Sequence, residues 1–278
     1  MAITFNESAV DAQPLSFGVT RQPLLTQERV PGTKVFLDRL TLAHGASLDL
    51  SVSVKNLAWF QMLEGQAVLR HAAAAEQLAG THIVFLPPGF RGALSSEAGA
   101  VLLYAEVPDA ARFDSRFTDH PPRLRVVDWT RESVLDSQHD ARKRIYVATP
   151  KLFDTHAIKG EMIIYPPGTQ AANHHHEGAE HFMYVLQGRG TAYANESPFP
   201  VRKGDVIFYD ERERHYLRSE GAENMVFVEF FVPGRYQTTW ADGAPVCTWT
   251  PTGHDIRGEK PVREIKGHSS AVAIPQDV

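Results

Sequence analysis

The chain has 278 residues and a formal net charge of −5; 43% of its residues are hydrophobic and 22% are charged. This composition is ordinary for a globular protein that can bury a substantial core. The sequence contains no stripe of lysine and arginine residues of the kind that indicates a nucleic-acid-binding surface. The only cysteine, Cys247, cannot form an intrachain disulfide, which is compatible with a reducing compartment.

The first residues, MAITFNESAVDAQ, lack the basic-then-apolar layout of a secretory signal. No apolar run reaches the length of about 18 residues that a membrane-spanning helix needs. We therefore expect a cytoplasmic protein without membrane or nucleic-acid partners. The densest basic run, RKRIY at 142–146, is interpreted as the solvated start of a strand.

In chain order, residues 1–33 are interpreted as a polar N-terminal arm with scattered apolar anchors. Short β-rich runs separated by turn signals fill 34–106, a pattern typical of all-β sandwiches and barrels. The Pro-, Asp- and Arg-rich stretch 107–140 is interpreted as a connection between two domains. The β pattern returns over 141–235, and 236–278 is interpreted as a C-terminal tail.

The two β-rich regions repeat each other. WFQMLEGQAVL in the first parallels FMYVLQGRGTAY in the second, and AVLLYAEVP parallels MVFVEFFVP. An internal repeat of this kind indicates two domains with the same fold in tandem.

A histidine cluster lies in the second region, within GTQAANHHHEGAEHFMYVLQGRG. His174, His175, His176 and His181 fall within eight residues there. Because strand side chains alternate between faces, His174 and His176 would share one face while His175 points away. Convergent neutral imidazoles bind Mn, Fe, Co, Ni, Cu or Zn. The alternative is a solvated, His-rich loop, but the Gly/Pro-bounded hairpin favours a metal site.

This stretch resembles the first motif of the cupin superfamily, in which a glycine and five residues precede His-x-His. Here Gly168 precedes His174 and His176 at that spacing. Two ways of counting along the motif place its third ligand at positions that differ by one residue, so both candidates stay open. Counting back from the closing glycine gives His181, and counting forward from His176 gives Glu180. His181 is favoured because it shares strand parity with the apolar residues that follow.

The second cupin motif is matched in spacing from Gly204 to His215, which is therefore the fourth candidate ligand. Asp210, Arg212 and Ser219 replace the motif's proline, second glycine and asparagine. Two motifs in the expected order imply a metal-binding cupin, a double-stranded β-helix or jelly-roll barrel. The whole chain is therefore expected to be all-β, with two tandem cupin domains.

The repeat also predicts what the first domain lacks. Ser51 and Ser53 stand where His174 and His176 do. Ala58 and Gly92 occupy the two remaining ligand positions. None of these side chains replaces an imidazole or carboxylate, so the N-terminal cupin domain is expected to lack metal ligands.

Over residues 15–235 the layout is similar to the (S)-ureidoglycine aminohydrolase family, also called glyoxylate-induced proteins. The Glu180-His181 pair, followed by Tyr-x-Leu-x-Gly-x-Gly, resembles that family's motif and supports His181 as a ligand. The resemblance implies a Mn²⁺-dependent bicupin that hydrolyses a small ureido or amino acid and releases ammonia.

Departures from that family concern both ligands and substrate contacts. His174 and His215 stand where the family has glutamate and glutamine. A substrate-contacting tyrosine falls at Ala192, so the adjacent Tyr193 becomes a substrate-binding candidate. A functional lysine of the last strand corresponds to Val232.

Three functional hypotheses follow. The first is the Mn²⁺-dependent hydrolase of a small-molecule substrate. An Fe²⁺-dependent cupin dioxygenase is the alternative, because it can use a three-histidine site; a non-catalytic small-molecule-binding cupin is the third. Glu180 could act as a base, orient a ligand, or replace His181 as the ligand. Glu229, which interrupts the apolar run MVFVEFFV, could point into the barrel or lie at a bulge. A homo-oligomer is possible.

Overall fold

The computed structural model describes residues 2–72, 74–270 and 278. Antiparallel strands dominate, and every strand pairing in the described residues is antiparallel. This confirms the all-β prediction. No helix in the described part of the chain is long and apolar enough to cross a membrane.

The first eleven strands are β1 Ile3–Asn6, β2 Gln13–Ser16, β3 Val19–Leu25, β4 Phe36–Leu42, β5 Ala46–Ser51, β6 Leu57–His71, β7 Ala74–Ala79, β8 His82–Leu86, β9 Arg91–Ser96, β10 Ala100–Val107 and β11 Arg125–Asp128. The second series is β12 Val134–Ser137, β13 Lys143–Ala148, β14 Lys159–Tyr165, β15 His174–Glu177, β16 Glu180–Gln187, β17 Arg189–Ala194, β18 Ser197–Arg202, β19 Asp205–Tyr209, β20 His215–Glu220, β21 Met225–Val232, β22 Gln237–Trp240, β23 Thr248–Pro251 and β24 His268–Ser269. One α-helical turn, α1 Pro150–Phe153, and 3₁₀ turns at Glu7–Ala9, Ala110–Phe113 and Trp129–Arg131 complete the described elements.

The chain divides into two compact units. Of the described residues, those within Glu7–Asp128 and Phe153–Thr155 form the N-terminal unit, and those within Met1–Asn6, Trp129–Leu152 and His156–Val278 form the C-terminal unit. Both units therefore take in strands from the predicted arm and connection, and the C-terminal unit also takes in the strands of the predicted tail. The predicted domain limits at 34–106 and 141–235 stay a prediction.

The N-terminal unit has a sheet in the order β11-β8-β6-β10-β4-β3-β2, to which β5, β7 and β9 are joined. Its interior is apolar and closely packed: Phe60, Leu69 and Leu94 are fully buried in one core cluster. Burying a side chain of that size stabilises the fold by about 1.5–3 kcal/mol. Ala58 lies within this core, and a Cβ added at Gly92 would come within 2.8 Å of the Phe90 ring. The positions equivalent to two candidate ligands are therefore occupied by tight packing.

The C-terminal unit has two sheets, ordered β1-β19-β16-β21-β14-β13-β12-β23-β24 and β18-β17-β20-β15-β22. Apolar side chains from both sheets form its core, among them Val185 and Ile207 of the larger sheet and Leu217 of the smaller. This double-sheet arrangement is that of a jelly roll. Strand β14 lies inside the larger sheet and is buried along its whole length, so even its polar side chains lie within the protein.

Candidate metal centre

Three of the predicted ligands come from two neighbouring strands of the smaller sheet. His174 begins β15, His215 begins β20, and the two residues are direct partners across the antiparallel pair. His176 follows two positions after His174 and therefore shares its face. The pairing register of β15 with β20 and the alternation of side chains along β15 together bring the three imidazole rings close to one another.

The ligand-capable nitrogens of His174, His176 and His215 all lie within 4.8 Å of one another. The ring of His174 lies 4.9 Å from that of His176 and 4.5 Å from that of His215, and the other two are 5.1 Å apart. Groups this close can share a single metal ion as ligands.

Two of these rings are oriented by backbone carbonyls. Nδ1 of His174 lies 2.8 Å from the carbonyl oxygen of Ala172, and Nδ1 of His215 lies 2.7 Å from that of Glu213. Because a carbonyl oxygen only accepts, each Nδ1 must carry the proton, which leaves Nε2 with a lone pair. Nε2 of His215 is buried and has no hydrogen-bond partner among the described residues. A metal ion would satisfy it.

His176 is oriented differently, since its Nδ1 lies 3.2 Å from the hydroxyl of Thr238. Each ring of the triad His174, His176 and His215 therefore has a supporting contact at Nδ1, as metal-ligating imidazoles usually do. The predicted non-ligand His175 faces away and contacts Glu177, with Nε2 3.3 Å from a carboxylate oxygen.

His181 lies beside the triad on β16. Its ring is 5.0 Å from that of His176 and 4.7 Å from that of His215. Both of its ring nitrogens are buried without a hydrogen-bond partner in the described part of the chain. It is not one of the three histidines whose ligand atoms lie within 4.8 Å of one another, so its role as a fourth ligand stays a prediction.

Glu180, the alternative third ligand, is buried but precedes His181 on the same strand. Successive strand side chains point to opposite faces. The His181 ring stacks on Phe231 and contacts the other histidines, so Glu180 points away from them. The arrangement favours His181 over Glu180.

The four imidazoles are neutral at physiological pH. Burial, together with the neighbouring histidines, holds the pKa of His174, His176 and His181 well below the usual 6.5. Burial lowers the pKa of His215 to about 4. Neutral imidazole is the form that binds metals, so no proton has to be displaced near neutral pH.

A cavity of about 60 Å³ extends from the triad into the C-terminal unit. One water needs roughly 10–15 Å³ of such volume, so the space suits a few waters or a ligand of few heavy atoms. Beyond the histidines, its polar lining consists mainly of charged and phenolic groups: Arg142, Arg144, Lys159, Glu161, Glu229 and Tyr236.

These charged side chains form a connected group inside the barrel. Nε of Arg144 lies 2.8 Å from Oε2 of Glu161, and Nζ of Lys159 lies 3.5 Å from Oε1. Glu229 stands directly opposite Glu161 in the pairing of β14 with β21. Burial and the facing carboxylate raise the pKa of Glu229 well above its usual value. Although burial opposes it, Arg144 and Lys159 hold the pKa of Glu161 low. Glu229 is therefore a neutral acid beside an ionised partner.

The cavity carries a net positive charge. Arg142 forms an ion pair with Asp140 at 2.7 Å, and Arg144 pairs with Glu161. Burial lowers the pKa of Lys159 to about 8, so at pH 7 its ammonium is mostly protonated and is a third cation facing two carboxylates. One positive charge is left over, which favours a negatively charged ligand.

Several of these residues were missed or misread from the sequence. The run RKRIY was expected to be solvated, but Arg142 and Arg144 have side chains only 7% and 12% exposed. Both line the cavity. The sequence offered one signal for this charged lining: Lys159 and Glu161 lie two positions apart within an apolar strand. That spacing puts both side chains on one face of the strand. Glu229, for which the sequence alone allows either orientation, points into the barrel.

Tyr193, the predicted substrate contact, lies on β17 with its ring stacked on Tyr216 at 4.3 Å. Its neighbours Ala192 and Ala194 are buried in the core, so Tyr193 points to the other face of the strand. It is not among the described residues that line the cavity. The tyrosines that line the cavity are Tyr146, Tyr165, Tyr216 and Tyr236.

Comparison with known proteins agrees with this architecture. Residues 161–231 match the Cupin domain family. An oxalate-binding protein of Thermotoga maritima is 33% identical over 67 residues, 24% of this chain and 55% of its own length. An uncharacterised protein of Methanocaldococcus jannaschii is 33% identical over 58 residues, 21% of this chain and 46% of its own length. The chain thus spans about half the length of these curated relatives.

Solved structures of oxalate decarboxylase from Bacillus subtilis share the fold of most of the chain. One variant gives a TM-score of 0.68 at 15% identity, covering 86% of this chain and 79% of that chain. The same enzyme at pH 4.6 gives 0.68 at 15% identity, covering 86% and 78%. The fold is therefore the two-domain cupin fold, and the Cupin domain match over residues 161–231 includes all four predicted metal ligands, His174, His176, His181 and His215.

Proposed function

We propose that this protein is a metal-dependent enzyme acting on a small carboxylate-bearing substrate, with the hydrolysis of a ureido or amino acid and release of ammonia as its reaction. The observation that carries the proposal is the group of three imidazoles, one with a buried and unpartnered Nε2, at a small cavity with a surplus positive charge. A cationic cavity of this size suits a small organic anion.

The residues fit a divalent metal ion. His174, His176 and His215 would hold it, with His181 as the proposed fourth ligand, and three protein ligands would leave positions open for substrate. When bound, the ion supplies a Lewis acid that orients the substrate and stabilises developing negative charge. We propose Mn²⁺, because a structure of the similar oxalate decarboxylase is described by its Mn(II) centres.

The cavity side chains complement that centre. Arg144 and Lys159 would attract the substrate carboxylate, while Glu161 holds both cations in fixed positions. Glu229, kept neutral, presents a carboxylic acid that can donate a hydrogen bond. The similarity to a protein named for binding oxalate also supports a small organic acid as ligand.

A second candidate is an Fe²⁺-dependent dioxygenase. The observation that favours it is the donor set, since the triad is entirely imidazole and lacks the glutamate of the aminohydrolase family. A neutral ligand set leaves the full positive charge on the ion, and nitrogen ligands suit iron as well as manganese. A non-catalytic binding protein for a small acid is the third candidate, supported by the oxalate-binding relative.

The discriminating experiment measures metal and turnover on the same preparation. Protein purified without a His tag would be analysed for bound metals and then incubated with ureidoglycine, with ammonia as the readout. We expect manganese near one ion per chain and metal-dependent ammonia release. Iron with substrate-dependent O₂ uptake would support the dioxygenase instead, and oxalate binding without any turnover would support the binding protein. Formation of formate and CO₂ from oxalate would indicate a lyase.

A further inference from the structure

Lys159 is an unusual residue for its position. It begins β14, and only 5% of it is exposed. Burying an ammonium group is costly unless it is paired and hydrogen-bonded. Its Nζ donates a hydrogen bond to the hydroxyl of Tyr236 at 2.5 Å and lies 3.5 Å from Glu161. The amine is thus held at one point of the cavity by two contacts.

That point is close to the histidine triad. The Tyr236 ring packs against His176 with centroids 4.8 Å apart and stacks on Phe231 at 4.3 Å. Nζ of Lys159 lies 4.9 Å from the Tyr236 centroid and 5.2 Å from the Phe231 centroid. Only one layer of aromatic rings therefore separates the amine from the proposed metal ligands, and both lie on the same cavity.

Tyr236 holds the amine with its oxygen as the acceptor. In that arrangement its own O–H proton has no acceptor among the described residues. It is thus available to a ligand in the cavity, and Tyr236 both anchors the lysine and offers a donor beside it.

The groups that face Lys159 come from every strand packed around it. They are Glu161 on its own strand, Glu229 on β21, Arg144 and Tyr146 on β13, Tyr236 before β22, His268 on β24, and the more distant His176 and His181. Glu161 and Glu229 share one proton, so the amine can give up or regain a proton beside a carboxyl pair that can exchange one in turn.

We propose that Lys159 is the proton donor and acceptor of the reaction at the metal centre, with Tyr236 and Glu161 as the residues that position its amine. This inference rests on the proposed function. Burial lowers the pKa of Lys159 to about 8, and a group that titrates near the working pH transfers protons most efficiently in both directions.

In the hydrolysis of ureidoglycine, the amine of Lys159 can supply and recover every proton that the reaction moves. The bond between the α-carbon and the amine nitrogen breaks, and its electron pair leaves with the nitrogen. The nitrogen takes a proton from Nζ and departs as ammonia. Water forms the new bond to the α-carbon, and the proton that it loses returns to Nζ. The enzyme ends with the protonation that it had at the start.

Lys159→Met tests the role in turnover, with Lys143→Met on the neighbouring strand as the matched control. Lys143 has a side chain that is 42% exposed and pairs with Asp136 outside the cavity. We expect Lys159→Met to lower kcat by about 10²–10⁴-fold, the usual contribution of general acid–base catalysis, with unchanged metal content. Lys159→Arg should keep the fold and the charge, yet it should stay slow because its guanidinium does not release a proton. Activity within a factor of about three of the wild type in both Lys159 variants would overturn the inference.

Carbamylation by cyanate provides a readout that does not depend on activity. Only a neutral amine reacts, so the rate at each lysine, followed by peptide mass spectrometry against pH, reports its protonation and its access to the cavity. We expect Lys159 to reach half its maximal rate near pH 8, while the half-exposed Lys143 serves as the reference for an amine that cyanate reaches freely. Tyr236→Phe should shift the Lys159 profile, whereas Tyr104→Phe in the N-terminal unit should leave it unchanged.

The outcomes separate the two proposals. Turnover of ureidoglycine that survives Lys159→Met would overturn the role of the lysine and leave the proposed function intact. No turnover by the metal-loaded wild type would overturn the proposed function, whatever the cyanate profile. Failure of Lys159 to react at pH values where Lys143 reacts would show that its amine does not face the cavity, and would also overturn the inference.

Discussion

At the scale of single residues, the metal centre depends on rings that are oriented before any ion arrives. His176 is the central one, because its ring contacts those of His174, His181 and His215. Its Nδ1 is occupied by Thr238, so Nε2 is the nitrogen left for a metal. A change at this residue removes a donor without replacing it.

We therefore expect the His176→Ala variant to lose its bound metal during gel filtration. Ser53→Ala, at the equivalent position of the first repeat, is the matched control, and it should leave the metal content unchanged. Metal analysis after removal of unbound ions checks both. Equal loss of metal in the two variants would show that the repeat has been misaligned.

The two buried glutamates should respond differently to the same chemical change. Glu161→Gln removes the carboxylate that pairs with Arg144 and Lys159 and leaves buried cations unpaired, which should cost about 3–5 kcal/mol of unfolding free energy. Glu229→Gln replaces a neutral acid by a neutral amide of similar shape and should change stability by less than about 1 kcal/mol. Urea denaturation measures both. A large loss in Glu229→Gln would mean that Glu229 is the ionised member of the pair.

At the scale of elements, strand β14 contributes Lys159 and Glu161 to the cavity lining and is tightly packed on its other face. Gly160 lies between Lys159 and Glu161, and a Cβ at Gly160 would come within 2.3 Å of the Phe230 ring. A buried aromatic ring on the facing strand cannot move aside without disturbing the core. The glycine is therefore required by packing on the face opposite the cavity.

Gly160→Ala should destabilise the protein by about 1–3 kcal/mol, because it overpacks this interface. Gly267→Ala is the control, since its nearest atom is 3.4 Å away and its backbone is not in the left-handed region. Thermal unfolding compares the two variants. A midpoint for Gly160→Ala no lower than that of the control would argue against the placement of β14 beside β21.

The elements also show what the sequence could predict. Alternation and motif spacing placed His174 and His176 on one face and brought His215 to them, because strand geometry leaves few choices. The same alternation favoured His181 over Glu180. The charged lining was missed, since Arg142 and Lys159 are buried only when strands distant in sequence cover them. Tyr193 lies outside the cavity lining for a related reason: the adjacent Ala192, and not the tyrosine, is on the inward-facing side of the strand, and the role of Tyr193 as a substrate contact stays a prediction.

At the scale of the whole molecule, two repeats have the same strand plan and different interiors. The N-terminal unit fills its barrel with Phe60, Leu69 and other apolar side chains, whereas the C-terminal unit encloses imidazoles and ion pairs. The repeat could be predicted from the sequence because the strands recur in the same order. The limits of the compact units could not be predicted, since Ile3–Asn6 and Gln237–Trp240 belong to the C-terminal unit although their segments look like a polar arm and a polar tail.

Buried neutral histidines make the stability of the metal-free protein depend on pH. Burial lowers the pKa of His215 from 6.5 to about 4. Between these values the unfolded chain binds the proton and the folded chain does not, so acidification should destabilise the fold by about 1.4 kcal/mol per pH unit for this group. The other three histidines act in the same direction.

Urea unfolding of chelator-treated protein at about pH 7 and about pH 5.5 tests this linkage. We expect lower stability at the acidic pH and a smaller difference in His215→Asn. A stability that does not change, or that rises on acidification, would contradict the assignment of neutral, buried imidazoles.

The most direct test of the account is a crystal structure of the Mn²⁺-loaded protein with anomalous data collected at the manganese edge. We predict one strong anomalous peak per chain, within bonding distance of His174, His176 and His215 and open to the cavity that contains Lys159. A peak elsewhere in the chain, or no peak in protein shown to be folded, would contradict the central claim that this barrel is built around a metal ion.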